Sequence, residues 1–339
     1  MEDTLLEVNN VKTSFFTHHG EIQAVRGASF KLKKGDVLGI VGESGSGKSV
    51  TALSVMGLIE QPGRIKEGEI LFEGKDLAKL SQKELSDIRG NDIAMIFQDP
   101  MTSLNPVYSI KNQMVEVIRR HQKMSRKEAV DRAVEMLRLV GIPEPEKRIN
   151  SYPHEFSGGM RQRVMIATAL SCNPRLLIAD EPTTALDVTI QAQILDLMND
   201  LKDKINASII MITHDLGVIA EICDHIVVMY GGTIMEQGTE KDIFYNPQNP
   251  YTVGLHKSVP KLTEGEKERL VPIEGSPPDL LHPPEGCPFS GRCPHAMDIC
   301  LTNRPPTFKL SETHSSACWL LHENAPQVEK YEKAGAVSE

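Results

Sequence analysis

Two short glycine-bearing stretches of this chain have the residue types needed to hold phosphate. Gly42-Glu43-Ser44-Gly45-Ser46-Gly47-Lys48-Ser49 has the spacing Gly-x4-Gly-Lys-Ser. Glycines at 42, 45 and 47 let the backbone curl so that successive N–H groups, those of Ser44 and Ser46 among them, point at one anion. Lys48 then reaches the terminal phosphates, and the Ser49 hydroxyl can ligate Mg2+. The plainer reading, a glycine-rich turn with an incidental lysine, does not explain the apolar run Asp36–Val41 before it or the helical sequence after it. The second stretch, Ser157-Gly158-Gly159, opens another helix and offers more N–H groups at a positive helix end. It also reads simply as a helix start capped by Ser157, and both can hold at once. One chain with two phosphate-binding faces suggests a nucleotide sandwiched between two subunits.

Carboxylates complete the chemistry. Leu176-Leu177-Ile178-Ala179-Asp180-Glu181 is an apolar run ending in two acids. Asp180 is placed to hold magnesium, and Glu181, one residue further, to orient an attacking water as general base. The bland alternative is a surface acidic pair at a strand end. His214 follows a third buried run, Ile209–Thr213. A lone histidine is more often structural than functional, so its place after that run is what singles it out. Four cysteines, Cys287, Cys293, Cys300 and Cys318, crowd near the end of the chain, whereas Cys172 and Cys223 sit alone and read as core thiols. In a reducing compartment such a cluster reads as metal-binding before it reads as disulfides. Its spacings are not those of zinc ribbons, and chemistry alone leaves zinc, an iron–sulfur cluster and unliganded thiols all open.

The elements that must position these groups follow from periodicity. Residues 5–12 and 22–32 alternate apolar and polar and read as strands joined at His18-His19-Gly20. Asp36–Val41 reads as a buried strand feeding the glycine loop, with a helix from Lys48 to about Leu58 ended by Pro62-Gly63. Ile70–Phe72 reads as an edge strand, and residues 92–98 as a strand ending at Gln98. Residues 110–140 are helical with a break at Ser125, and Gly141-Ile142-Pro143 stops them. Leu176–Ile178 and Ser208–Ile212 are further buried strands separated by helical sequence. Strand–helix alternation implies α/β architecture with a largely parallel sheet. After Gly231-Gly232 proline becomes frequent and periodicity fades.

Composition narrows the function. The chain has 339 residues, 40% hydrophobic and 24% charged, enough for two domains and a large core. A net charge of −9 argues against nucleic acid as the main partner. No apolar run approaches the ~18–20 residues of a membrane span. The acidic start Met1-Glu2-Asp3-Thr4 lacks the regions of a signal peptide, so a cytoplasmic protein is expected.

The two phosphate stretches together resemble the ABC ATPase family, from near residue 7 to about residue 235. That resemblance implies a P-loop NTPase fold with a mostly parallel core sheet, an antiparallel N-terminal β subdomain and an inserted helical subdomain at about 99–160. It implies ATP and Mg2+ as ligands, with Ser49, Gln98 and Asp180 at the metal. Gln98 would sense magnesium and the water, His214 would contact the γ-phosphate, and Asp187 would lie in the loop crossing to a partner subunit. Ser157, Gly158 and Gly159 would touch the nucleotide held by Lys48 of the other subunit. Adenine would stack on Phe15, which fits the family's aromatic position better than Phe16. Phe156 and Met160 depart from the commonest signature and resemble the peptide-importer branch.

The stretches Asn249-Pro250-Tyr251-Thr252-Val253-Gly254-Leu255, Gly275-Ser276-Pro277-Pro278 and Cys287–Cys300 are similar to the C-terminal extension of dipeptide and oligopeptide importer ATPases. This implies an ATP-binding domain over 1–235, an extension over 236–325 and a mobile tail over 326–339. It also implies a structural 4Fe–4S cluster on Cys287, Cys293, Cys300 and Cys318, with zinc as the fallback. The implied partners are a second ATP-binding subunit, two transmembrane permeases and, indirectly, an extracytoplasmic peptide-binding protein. The chain would sit on the cytoplasmic side of the cell membrane, with the loop after Gln98 and the helical insertion as docking surface. A soluble ABC ATPase acting on DNA or ribosomes is disfavoured by the absence of sustained heptads and of a second ATPase unit. An iron–sulfur redox protein is disfavoured by the full set Lys48, Asp180, Glu181 and His214. Import of another solute, such as a metal chelate, stays open.

Overall fold

The computed structural model describes residues 3–98, 103–183, 187–205, 207–258 and 272–328. Asp99–Thr102 of the expected docking loop, residues 184–186 and the tail from residue 329 lie outside the described residues. In chain order the strands are β1 Thr4–Thr17, β2 Gly20–Lys33, β3 Val37–Val41, β4 Gly63–Phe72, β5 Lys75–Asp76, β6 Ile93–Ile96, β7 Leu176–Asp180, β8 Ser208–Thr213, β9 His225–Tyr230, β10 Thr233–Thr239, β11 Phe308–Lys309 and β12 Ser315–Ser316. The chain divides into two compact units, one of Met1–Leu32, Asp36–Ala78 and Thr213–Glu339, the other of Lys33–Gly35 and Lys79–Ile212.

In the first unit the antiparallel sheet expected at the N-terminus is present, in the order β2-β1-β4-β5. β4 starts at Gly63, well before the expected Ile70, because its outward positions are charged and carry little apolar signal. β3 is buried along its whole length and pairs in parallel with β9, Leu38 opposite His225 and Val41 opposite Val228. Gly39 fits beneath Ile219, whose Cδ1 would lie 2.7 Å from any Cβ at this position. β9 turns back at Gly231-Gly232 into antiparallel β10, which pairs on its other side with β12, and β12 with β11. The proline-rich C-terminal segment thus supplies two short strands to this unit's sheet.

In the second unit β6, β7 and β8 are parallel, with Ile93 opposite Leu176 and Leu176 opposite Ser208. β7 and β8 are buried throughout, as strands covered on both faces must be. The inserted helices are Ile110–His121 and Arg126–Leu139, packed on each other and on the helix Gly158–Leu170. The first buries Ile110, Met114, Val115 and Ile118, one face at helical spacing. Burying each such side chain stabilises by about 1.5–3 kcal/mol. The break expected at Ser125 is an N-cap: its hydroxyl accepts from Glu128 N–H while the Glu128 carboxylate accepts from Ser125 N–H.

Candidate nucleotide site

The glycine loop joins β3 to the helix Lys48–Val55, and its shape is fixed by contacts only glycine tolerates. A Cβ at Gly42, with φ of 151°, would lie 2.1 Å from the Met229 carbonyl oxygen. One at Gly47, with φ of 99°, would lie 2.5 Å from the Ala24 oxygen. Lys48 is buried at 5% exposure, and its Nζ donates to the carbonyl oxygens of Gly42 at 2.7 Å and Glu43 at 3.0 Å. The ammonium is thereby held over the curl of the loop. Ser46 Oγ is buried without a hydrogen-bond partner among the described residues, an orphaned group of the kind a phosphate oxygen would satisfy. These features fit a nucleotide phosphate chain.

The loop is also braced from a direction that the motif does not reveal. Glu43 N–H donates to the Tyr251 hydroxyl at 2.9 Å. The Glu43 carboxylate takes a two-pronged bond from Arg292, Nη1 to Oε2 at 2.6 Å and Nη2 to Oε1 at 3.0 Å. Arg292 further donates to Tyr230 Oη at 3.0 Å and to the carbonyl oxygens of Ile273 and Glu274. These bonds raise its already high pKa. Phe289 stands edge-on to Tyr230, and burial pushes the Tyr251 phenol up. Arg292 and Tyr251 were missed as site residues. Tyr251 was visible only as part of a family stretch, and Arg292 carried no signal beyond its place beside Cys293.

In the same unit His214 is exposed at the end of β8, before the helix Leu216–Ile222, which Asp215 caps through Gly217 N–H at 2.8 Å. Phe16 is half-covered by the Arg64 guanidinium, 4.4 Å above its ring. Phe15 lies against Gly63, where a Cβ would meet its ring at 2.6 Å.

In the second unit Asp180 is buried at 6% exposure at the end of β7. Glu181 follows with φ of 47°, a left-handed conformation that turns its side chain out of the strand's alternation. Its N–H donates to Ile212 O at 2.8 Å, which anchors that turn. Gln98 Nε2 donates to Glu181 Oε2 at 2.9 Å, so two of the expected residues meet. Ser157 caps its helix, its Oγ accepting from Met160 N–H at 3.4 Å. A Cβ at Gly158 would meet nothing within 4 Å, so this face of the turn is open. Asp187 is exposed, and its Oδ1 accepts from Ile190 N–H at 2.9 Å at the start of the helix Val188–Ile205.

Residues 25–184 match the family model "ABC transporter", and residues 235–300 match "Oligopeptide/dipeptide transporter, C-terminal region". The chain is 59% identical to the oligopeptide transport ATP-binding protein OppD of Bacillus subtilis, covering 98% of this chain and 93% of the relative. It belongs to the ATP-binding proteins of peptide ABC transporters. The dipeptide transport ATP-binding protein DppD of the same organism is 54% identical over 95% of this chain and 96% of its own. Salmonella typhimurium OppD is 54% identical over 94% of each. The solved dimer of the ATP-binding cassette MJ0796, in a post-hydrolysis state with ADP and Pi, matches with a TM-score of 0.63 and 28% identity. It covers 69% of this chain and 98% of that one. As an ABC ATPase this chain is an ATP-hydrolysing transporter subunit, and no helix among the described residues is long and apolar enough to cross a membrane.

The cysteines of this peptide-transporter ATPase do not form the ligand shell expected for them. Cys287, Cys293, Cys300 and Cys318 line one cavity with Phe289 and Trp319. Yet among the described residues no group of three or more His, Cys, Asp or Glu stands where it could hold a metal ion. Neither the 4Fe–4S cluster nor zinc finds support in this arrangement. Burial, and after it the neighbouring sulfurs, hold Cys287 and Cys318 as neutral thiols, pushed up to about 11 and about 12, and raise Cys293 as well. Cys172 and Cys223 are core thiols, as expected.

Proposed function

We propose that this chain binds and hydrolyses ATP as one of two ATP-binding subunits powering import of oligopeptides or dipeptides through membrane permeases. Lys48, with the backbone N–H groups of the loop from Gly42 to Ser49, binds the phosphates. Ser49, Asp180 and Gln98 hold Mg2+, which supplies charge neutralisation on the phosphates. Glu181 takes the proton of the attacking water, Gln98 orients that carboxylate, and His214 contacts the γ-phosphate. Ser157, Gly158 and Gly159 close on the nucleotide of the partner subunit, with Asp187 in the crossing loop, and adenine stacks on Phe15. The observation that carries hydrolysis is the Gln98–Glu181 bond at 2.9 Å, which poises a carboxylate at the end of a buried strand. Glu181→Gln should keep ATP binding, abolish turnover and trap an ATP-bound dimer. Turnover at the unmodified rate would sink the assignment.

Attachment to the cytoplasmic face of the membrane through the permeases is supported by the surface beyond Gln98, where Val107 and Tyr108 are 71% and 54% exposed. Large exposed apolar groups in sequence mark a contact surface. Co-purification with two permeases would test it, and recovery of the tagged chain without them would count against it. A functional division near residue 235 belongs to the same reading. A 4Fe–4S cluster on Cys287, Cys293, Cys300 and Cys318 rests on the family resemblance alone, since the four sulfurs line one cavity without standing as a ligand shell. Iron and sulfide analysis of anaerobically purified protein decides it, and stoichiometric zinc without iron would refute it.

A further inference from the structure

Strands β2 and β10 and the C-terminal extension line a cavity of about 370 Å³ to which the glycine loop contributes no residue. Two arginines line it, Arg26 from β2 and Arg304 from the extension. They stand close enough for Arg304 Nη1 to donate to the Arg26 carbonyl oxygen at 3.3 Å. Arg26 is only 9% exposed. Its Nη2 donates to Pro284 O at 2.8 Å, but its Nε and Nη1 are buried with no hydrogen-bond partner among the described residues. No carboxylate among the described residues pairs with either guanidinium. The one acid lining the cavity, Glu236, is fully buried, and its oxygens already accept from Gln248 N–H, Asn249 N–H and His314.

Two unneutralised cations therefore share a wall. Burial, and then the charge of Arg304, bring the Arg26 guanidinium down to about 10, and burial lowers Arg304 as well. Arg304 is exposed, but a buried cation such as Arg26 is normally paired, and a planar guanidinium with free N–H groups matches the oxygens of phosphate in two-pronged fashion. Ser29 and Thr307 add hydroxyls to the lining, and Ile234 and Pro305 give it an apolar side. The volume falls within the ~300–1,000 Å³ of small-molecule sites, larger than a bare ion needs. We propose that this cavity is a second anion site, binding a phosphate group between Arg26 and Arg304, as the free ion or as a phosphomonoester.

The test uses the full chain saturated with ADP and Mg2+, so that the glycine loop is filled, at fixed ionic strength. Inorganic phosphate and glucose 6-phosphate are each titrated while the melting temperature is followed. Either should raise it by at least about 2 °C at saturation. A larger or earlier rise with the sugar phosphate identifies the monoester as the source, and equal curves identify the free ion. Arg304→Gln, whose side chain is near the surface, should keep the wild-type melting temperature without ligand and lose the response. Arg26→Gln should lose it too. No response in the wild type, or an undiminished one in Arg304→Gln, overturns the proposal.

Discussion

Replacing Arg292 by methionine would test whether the C-terminal segment is part of the ATP site. The Arg292 side chain is 6% exposed and Glu43 is 27% exposed. Removing one partner of a buried pair costs about 3–5 kcal/mol, because the other charge is left unpaired. Water can reach part of Glu43, so we discount this to about 2–3 kcal/mol, a melting-temperature loss of about 5–10 °C. A second effect falls on the ligand. The freed carboxylate sits next to Gly42 in a loop built for anions, and its repulsion should weaken ATP binding about tenfold, or 1.4 kcal/mol. Thermal melts and equilibrium binding of a fluorescent ATP analogue read the two separately. Adding Glu43→Gln removes the charge and should restore most of the ATP affinity but not the stability. Wild-type affinity in Arg292→Met, or a double variant binding no better than the single one, would refute the reasoning.

Other perturbations separate shape from chemistry. Gly158→Ala meets no neighbouring atom, so it should melt within about 1 °C of wild type yet lose most ATP hydrolysis if a partner's nucleotide approaches there. An unchanged turnover number would show that this face does not bind. Gly42→Ala drives a methyl into the Met229 carbonyl 2.1 Å away, so nucleotide binding should vanish in a calorimetric titration even where the variant folds. In metal-free protein at pH 8, Cys287 and Cys318 lie well below their pKa values of about 11 and 12. They should resist iodoacetamide far better than in denaturant, with labelling rising steeply only above about pH 10. Fast labelling of the folded protein at pH 8, followed by mass spectrometry, would contradict the burial.

How much of this was legible in the sequence depended on whether the signal was local. The loop from Gly42 to Ser49 announces itself because phosphate geometry fixes both residue type and spacing. The Ser125 break was readable because a capping box is written in four consecutive residues. β4 is longer than its alternation suggests because Lys66, Glu67 and Glu69 face outward and erase the apolar pattern. The Gln98–Glu181 contact could be expected only from family resemblance, since no local rule joins residues so far apart. Arg292 and Glu43 are further apart still, and a charged pair has no periodicity to betray it. For the cysteines the sequence supplied a set of donors, while the arrangement of their sulfurs is a matter of loop packing.

The two-residue strand β12 lies against β10, whose other side is paired with β9, and β11 lies beyond it against β12. They act as a hem. An unpaired β10 would present a row of free N–H and C=O groups to any other chain, the usual start of edge-to-edge aggregation. A chain cut short before β11 would therefore be expected to fail by clumping rather than by losing its ATP loop outright. Solubility, more than catalysis, is what those few residues protect.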